Sequence, residues 1–406
     1  MQTLNRLTFS AYGMHVADQI ALVSVPLVAA LIFKASPEFI GVLVACQSMA
    51  HLLGSIPSGL IVDEIQAKYV AIAATAISFL GFAGVAVSVY AVSAIWFAVT
   101  VTLSGFGIVL FVLVSLSIIP RIAAATQLAK ANSRIEIPRA VSSFAIPLAI
   151  GLLIDENTAR FIFPAAIVCA ATAFFFVAGL PHFDGFSRKK ENVLRMIIEG
   201  GRFVVRHQLL RPISLCAVFW NLAFAALLVV MVPLIVEFYR MDPGVFGIAL
   251  SAFGVAAVAG SWMAGRLSHR VSPNVILLFG PGSSLLAALA LLCIPATGPV
   301  EAIYAAFFLV GFGPAMWLIT QNSIRQLVTP GHMLGRVNAV IQTAIYGVRP
   351  LGALAGGVIV GTLSPRAGMM FVLLAFCCSF AAALFSQLRN VNSYTSLSPR
   401  PTPTEI

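Results

Sequence analysis

Charge is what this sequence has least of. Only 9% of its 406 residues are Asp, Glu, Lys or Arg, against about 25% in soluble domains. A chain so poor in charge cannot cover itself in water, which excludes an ordinary soluble enzyme or binding module and places it in a bilayer. No C-x-x-C pair occurs, and Cys46, Cys169, Cys216, Cys293, Cys377 and Cys378 all fall inside apolar runs. They read as small packing residues, with no disulfide and no metal site expected. Neither G-x-x-x-x-G-K-[ST], HExxH, G-x-S-x-G nor an aspartate-rich metal motif is present. ATP-driven work, membrane-embedded catalysis and a bound cofactor lose their usual carriers. No A-x-A-like cleavage site follows the first apolar run, which therefore reads as an uncleaved span.

What is there is apolar sequence: 60% of residues are hydrophobic and the mean hydropathy is +1.00. Twelve runs lie near 9–33, 39–62, 69–90, 94–119, 137–154, 160–180, 212–236, 244–264, 274–294, 300–321, 336–361 and 366–388. A helical span needs about 20 apolar residues. The run at 137–154 is short and holds Pro138 and Pro147. The strand-like alternation of a barrel is missing, so an all-α membrane protein of twelve helices is expected.

The few cations are sorted. Nineteen of the 24 Lys and Arg flank one set of run ends or lie in the segment 181–211, whereas only Lys34, Arg160, Arg240 and Arg366 mark the opposite set. The positive-inside rule places both termini in the cytoplasm. The net charge of +10 is then a topology signal, and nucleic acid is not an expected partner.

A shift of 206 residues partly overlays the chain on itself. Gly41 meets Gly247, Gly54 meets Gly260, Gly59 meets Gly265, and Gly105-Phe106-Gly107 meets Gly311-Phe312-Gly313. Leu128, Asn132, Gly151 and Arg160 meet Leu334, Asn338, Gly357 and Arg366. The chain therefore divides into a six-helix bundle at 1–180, a basic amphipathic linker at 181–211, a second bundle at 212–388, and a Ser/Thr/Pro-rich tail at 389–406 expected to be disordered. Parallel six-helix halves describe a transporter plan with substrate held midway between them.

The turn after the second run reads Gly59-Leu-Ile-Val-Asp63-Glu64-Ile-Gln66-Ala67-Lys68. It resembles the Gly-x-x-x-Asp-Arg-x-Gly-Arg-Lys/Arg signature of the major facilitator superfamily, with Glu64, Gln66 and Ala67 departing from it. The second copy keeps Gly265 and Arg270 and lacks the acid. Asp18-Gln19-Ile-Ala-Leu-Val-Ser-Val-Pro26-Leu27, Leu334-Gly335-Arg336-Val337-Asn338-Ala339 and Tyr346-Gly347-Val348-Arg349-Pro350-Leu351-Gly352 resemble the efflux branch of enterobactin-type siderophore and macrolide exporters. That resemblance implies a bacterial inner-membrane transporter, usually a monomer, working by alternating access. It also implies a cytoplasmic gate in which Asp63 faces Arg336 and, by the repeat, Arg270 faces Glu136. The Gly-Pro-x-x-Gly-Gly run of antiporter relatives survives here only as Pro147 and Gly151.

Asp18 and Arg349 are the charges deep inside runs. Each costs about 2.5–3.5 kcal/mol to insert, so each should face a cavity or a partner. Asp18, with His15 one turn before it, is placed to carry a proton or, alternatively, to serve as a structural hydrogen-bond acceptor. Arg349 can bind an anionic cargo, pair with Asp18, or hold the kink at Pro350. Gln47, His51, Trp220, Asn221, Trp317, Gln321 and Asn322 are cavity candidates, each of which also suits interhelical hydrogen bonding. The functional expectation is a proton-coupled exporter of a small amphipathic molecule; an importer or uniporter of a small metabolite is the alternative.

Overall fold

The computed structural model describes residues 2–64, 66–122, 128–155, 158–182, 193–267, 270–330, 333–394 and 397. Among them are thirteen α-helices and no strand. They run α1 (Gln2–Leu31), α2 (Pro37–Glu64), α3 (Ala67–Tyr90), α4 (Ala94–Ile122), α5 (Leu128–Leu153), α6 (Ile162–Ala178) and α7 (Val193–Arg206). The second half continues with α8 (Leu210–Pro233), α9 (Gly244–Leu267), α10 (Pro273–Cys293), α11 (Val300–Val328), α12 (Leu334–Thr362) and α13 (Pro365–Leu384). Ten are long and apolar enough to cross a membrane, and the shorter apolar stretches Pro37–Ala50 and Ile137–Leu153 lie in α2 and α5. With α7 set aside as the amphipathic linker helix, these are the twelve expected spans.

Every backbone donor inside lipid must be met within its own helix. Hydroxyls obey the same constraint by bonding back along the helix, as Thr8 does to Leu4, Ser10 to Arg6 and Thr75 to Ala71, at 2.8–3.0 Å. Helix boundaries overrun the apolar runs. α1 begins at Gln2 and α5 at Leu128, because polar residues without a breaker extend a nucleated helix at one hydrogen bond per residue.

The tail departs from expectation. Residues Gln387–Asn390 form a 3₁₀ turn, Val391 is buried, and Asn274 binds the tail twice. Its backbone N–H donates to Val391 O at 2.9 Å and its Nδ2 to Arg389 O at 3.0 Å. Tyr394 and Leu397 pack on the same apolar cluster. The start of this tail is thus docked and not disordered, since its few apolar residues find a bundle surface that composition alone does not reveal.

The described chain forms two compact units. One comprises Met1–Lys189, Ala225–Ser251 and Arg349–Gly368; the other comprises Lys190–Phe224, Ala252–Val348 and Met369–Ile406. In the first unit α3 and α4 pack closely, with Ser78 Oγ donating to Ser104 O at 3.1 Å. The second unit repeats that bond between α10 and α11, from Ser283 Oγ to Leu309 O, also at 3.1 Å.

The repeat reaches backbone conformation. Shifting by 206 pairs Lys34 with Arg240, and both take left-handed φ, 46° and 54°. Each ends the first span of its half. Ala35 N bonds Ala29 O and Met241 N bonds Ile235 O, both at 3.0 Å. These are matched seven-to-one closures, one residue wider than the six-to-one cap, with a left-handed residue where helix ends normally recruit glycine. The second follows a π turn at Leu234–Phe238, which begins where Pro233 ends regular α-geometry.

Candidate functional site

α1 is buried along most of its length, yet Thr8, Phe9, Tyr12, Val16, Gln19 and Leu22 remain partly accessible. Their spacing of one to four residues draws a single line up the helix. The line starts at a pocket of about 280 Å³ lined by Asn5, Thr8, Phe9, Tyr12, Arg134 and Ile137. There the Arg134 guanidinium donates to Asn5 Oδ1 at 3.3 Å. Asp18 lies beside this line and is itself half-buried.

Two guanidiniums reach Asp18 electrostatically: Arg349 from α12 and Arg139 from α5. The structure thus brings together the two charges expected to be costly in the spans, and it adds a third. Arg139 is exposed near the start of the 137–154 run, and that place at a run end let it pass for a topology charge. Both arginines belong, like Asp18, to the first unit. His15 is buried one turn before Asp18. Gln47 is buried on α2, while the side chain of His51 lies outside the described residues.

Four glycines found by the repeat meet in pairs at the helix ends far from the termini. A methyl added at Gly41 on α2 would stand 2.8 Å from Ala353 O and 3.0 Å from Gly357 Cα on α12. One added at Gly151 on α5 would stand 2.6 Å from Ile248 N and 2.7 Å from Gly244 O on α9. Because Gly41 maps to Gly247 and Gly151 to Gly357, the two contacts are copies of one another. Only glycine permits such backbone approach.

In the second unit, the two polar candidates of α8 are occupied by their neighbours. The Trp220 indole N–H donates to Ser284 Oγ at 2.9 Å, and its ring stacks on Phe224 with centroids 5.0 Å apart. Asn221 Nδ2 donates to Ala217 O at 2.8 Å. α11 is different. Trp317, Gln321 and Arg325 recur every fourth residue on one face, and each keeps a buried polar atom without a hydrogen bond: Nε1, Oε1 and Nε respectively. Asn322 Oδ1 accepts from Gln321 Nε2 at 2.6 Å and from Arg325 Nη2 at 2.7 Å. Arg325 was not foreseen, because it lies at the cation-rich end of its span.

At the opposite helix ends, Arg336 opens α12 and forms an ion pair with Glu199 of α7. The backbone of Gly200 also lies against Arg336; a methyl there would stand 2.8 Å from its carbonyl oxygen. Asp63, Gly59 and Glu136, named for the gate with Arg336, have side chains outside the described residues. Lys68 is half-buried at the start of α3, Arg270 is exposed in the turn after α9, and a methyl added at Gly265 would meet, among the described residues, no atom of another helix within 4 Å. Glu199 was not anticipated, since a helix register in the linker shows which face it presents and not what meets it.

Comparison with known proteins agrees with this architecture. The sequence model described as Major Facilitator Superfamily matches residues 7–353. The enterobactin exporter EntS of Salmonella choleraesuis (strain SC-B67) is 23% identical over 303 residues, covering 74% of this chain and 72% of the exporter. The crystal structure of the nucleoside transporter NupG superposes with a TM-score of 0.76 at 11% identity, over 98% of this chain and 99% of NupG. A D-xylose–proton symporter gives 0.71 at 13% identity, over 97% and 99%. Two six-helix repeats, helix-end glycine contacts copied between them, and a match across most of the sequence lead to one assignment: the chain is a membrane transporter that belongs to the Major Facilitator Superfamily.

Proposed function

We propose that this protein is a proton-coupled exporter of a small amphipathic molecule of the drug or siderophore type, operating as a monomer with both termini in the bacterial cytoplasm. The observation that carries the reading is the Asp18 carboxylate within reach of Arg349 and Arg139, beside an accessible line in a buried helix. An ionised Asp18 carboxylate offsets the charge of one of the two guanidiniums and has lone pairs left to accept from a donor group on the cargo. Protonation withdraws that charge and puts a proton on the oxygen that would otherwise accept from the cargo. Proton and cargo then compete for one site, which is the requirement for exchange.

The glycine contacts α2–α12 and α5–α9 form one gate of the alternating-access cycle, closed on the side away from the termini. The other gate is built from Gly59, Asp63, Lys68, Glu136, Gly265, Arg270 and Arg336. His15 supports Asp18 in proton coupling. Gln47, His51, Trp220, Asn221, Trp317, Gln321, Asn322 and Arg349 contribute to the cargo cavity, the α11 residues through their unmet polar atoms. Similarity to the enterobactin exporter EntS favours export of a siderophore-type cargo.

The test is flux in proteoliposomes with an imposed pH gradient. Purified protein is first screened for thermal stabilisation by siderophores, macrolides, sugars and lipophilic cations, and the best binder is then followed. The wild type should move cargo against its gradient when protons run the other way, and Asp18→Asn should bind cargo without pH-driven movement. Proton-coupled flux unchanged in Asp18→Asn overturns the carrier role. Flux insensitive to the pH gradient in the wild type favours an importer or uniporter.

A further inference from the structure

The linker helix α7 has two unlike faces. One is buried in the second unit: Val204 clusters with Val337 and Ile341 of α12, Phe203 packs beside them, and Gly200 lies against Arg336. The Glu199–Arg336 ion pair fixes the helix there. The other face presents Ile198 and Val205, 53% and 63% exposed, interleaved with the exposed arginines Arg202 and Arg206. At 100° per residue these four fall within about 100° of arc, on the side away from Gly200 and Val204.

A helix face that needed only water would not carry two open β-branched side chains. One that packed in an apolar core would not carry two arginines. Apolar residues mixed with arginine suit the boundary between headgroups and acyl chains, where alkyl stems and β-branched groups enter the hydrocarbon and guanidiniums meet phosphate. The surrounding sequence adds charge of the same sign, with Arg188, Lys189, Lys190 and Arg195 before the face and Arg211 after it. The helix is also held at the first turn of a membrane span, which sets it at the level where a leaflet begins.

We propose that the outward face of α7 is a binding site for the anionic phospholipid of the leaflet it adjoins, with Arg202 and Arg206 on headgroup phosphates and Ile198 and Val205 in the upper acyl region. Through Glu199 and Arg336 the same helix ties that leaflet to the start of α12. This depends on the chain lying in a membrane and not on the direction or coupling of transport.

The full-length protein carrying a benzophenone amino acid at Val205 is reconstituted in nanodiscs of neutral phosphatidylcholine with a minority of phosphatidylglycerol, irradiated, and weighed by mass spectrometry. The adducts should be lipid, with phosphatidylglycerol enriched at least about fivefold over its share of the disc, the factor expected from each arginine near an anionic surface. The enrichment should vanish in R202Q/R206Q, while crosslinking to lipid of either kind remains. Adducts to this chain or to a second protein, no adducts, or phosphatidylglycerol captured only at its bulk share would each overturn the proposal. No flux is measured, so the result stands apart from the export reading.

Discussion

Replacing Gly357 by valine tests whether the glycine contacts are a gate or static packing. The first added carbon would stand 2.7 Å from Pro37 O and 2.9 Å from Gly41 Cα, inside the roughly 3.5 Å at which carbon contacts become comfortable. Backbone cannot step aside as a flexible side chain would, so the overlap falls in the usual range for overpacking, about 1–3 kcal/mol. If α2 and α12 separate during the cycle, that strain is present only while they touch. The population then shifts toward the separated state by roughly 5–150-fold, and the protein stays folded. Spin labels at Glu38 and Thr362, on the same ends of α2 and α12, read the distance directly. The expected result is a longer, broader distribution in Gly357→Val, reproduced on α5 and α9 by Gly151→Val. A folded variant with the wild-type distance distribution would refute the reasoning, and a variant that loses its fold would show the contact to be structural.

Other outcomes follow from single sites. Arg240→Gly should raise the melting temperature, because relieving a left-handed non-glycine residue recovers about 1–2 kcal/mol; a fall in thermal unfolding would contradict the cap assignment. His207 Nδ1 accepts from the N–H groups of Leu209 and Leu210 at 3.1 and 3.3 Å, which needs a neutral ring, and burial holds its pKa below the usual 6.5. The unfolded chain therefore takes up the proton first as pH falls. The stabilisation is complete above pH 6.5 and is lost as pH drops through the folded-state value. Melting curves from pH 8 to pH 5 should flatten in His207→Asn, which keeps an acceptor that does not titrate. Trp220→Phe should cost about 1 kcal/mol through the unmet Ser284 hydroxyl while preserving the ring stack, measurable by chemical unfolding. Unchanged stability would show that bond to be idle.

The sequence by itself determined the solvent, the number of spans and the duplication, because each is a property of composition or of periodic spacing that survives without coordinates. A chain with 9% charged residues has one environment open to it, and residues kept in step at an offset of 206 need a duplicated fold. Even the four contact glycines were legible one by one, as landmarks of the repeat. Tertiary structure decided who meets whom. That Gly41 touches Gly357 and not its own repeat mate, that Arg139 joins Arg349 beside Asp18, and that Glu199 takes Arg336 all depend on which helices lie side by side. Pattern fixes the face a residue occupies on its own helix, but the neighbour across that face is chosen by packing among twelve rods of nearly the same apolar surface. For the same reason the docked start of the tail was hidden: a short polar segment is held by the surface it lands on, and that surface exists only once the bundle has formed.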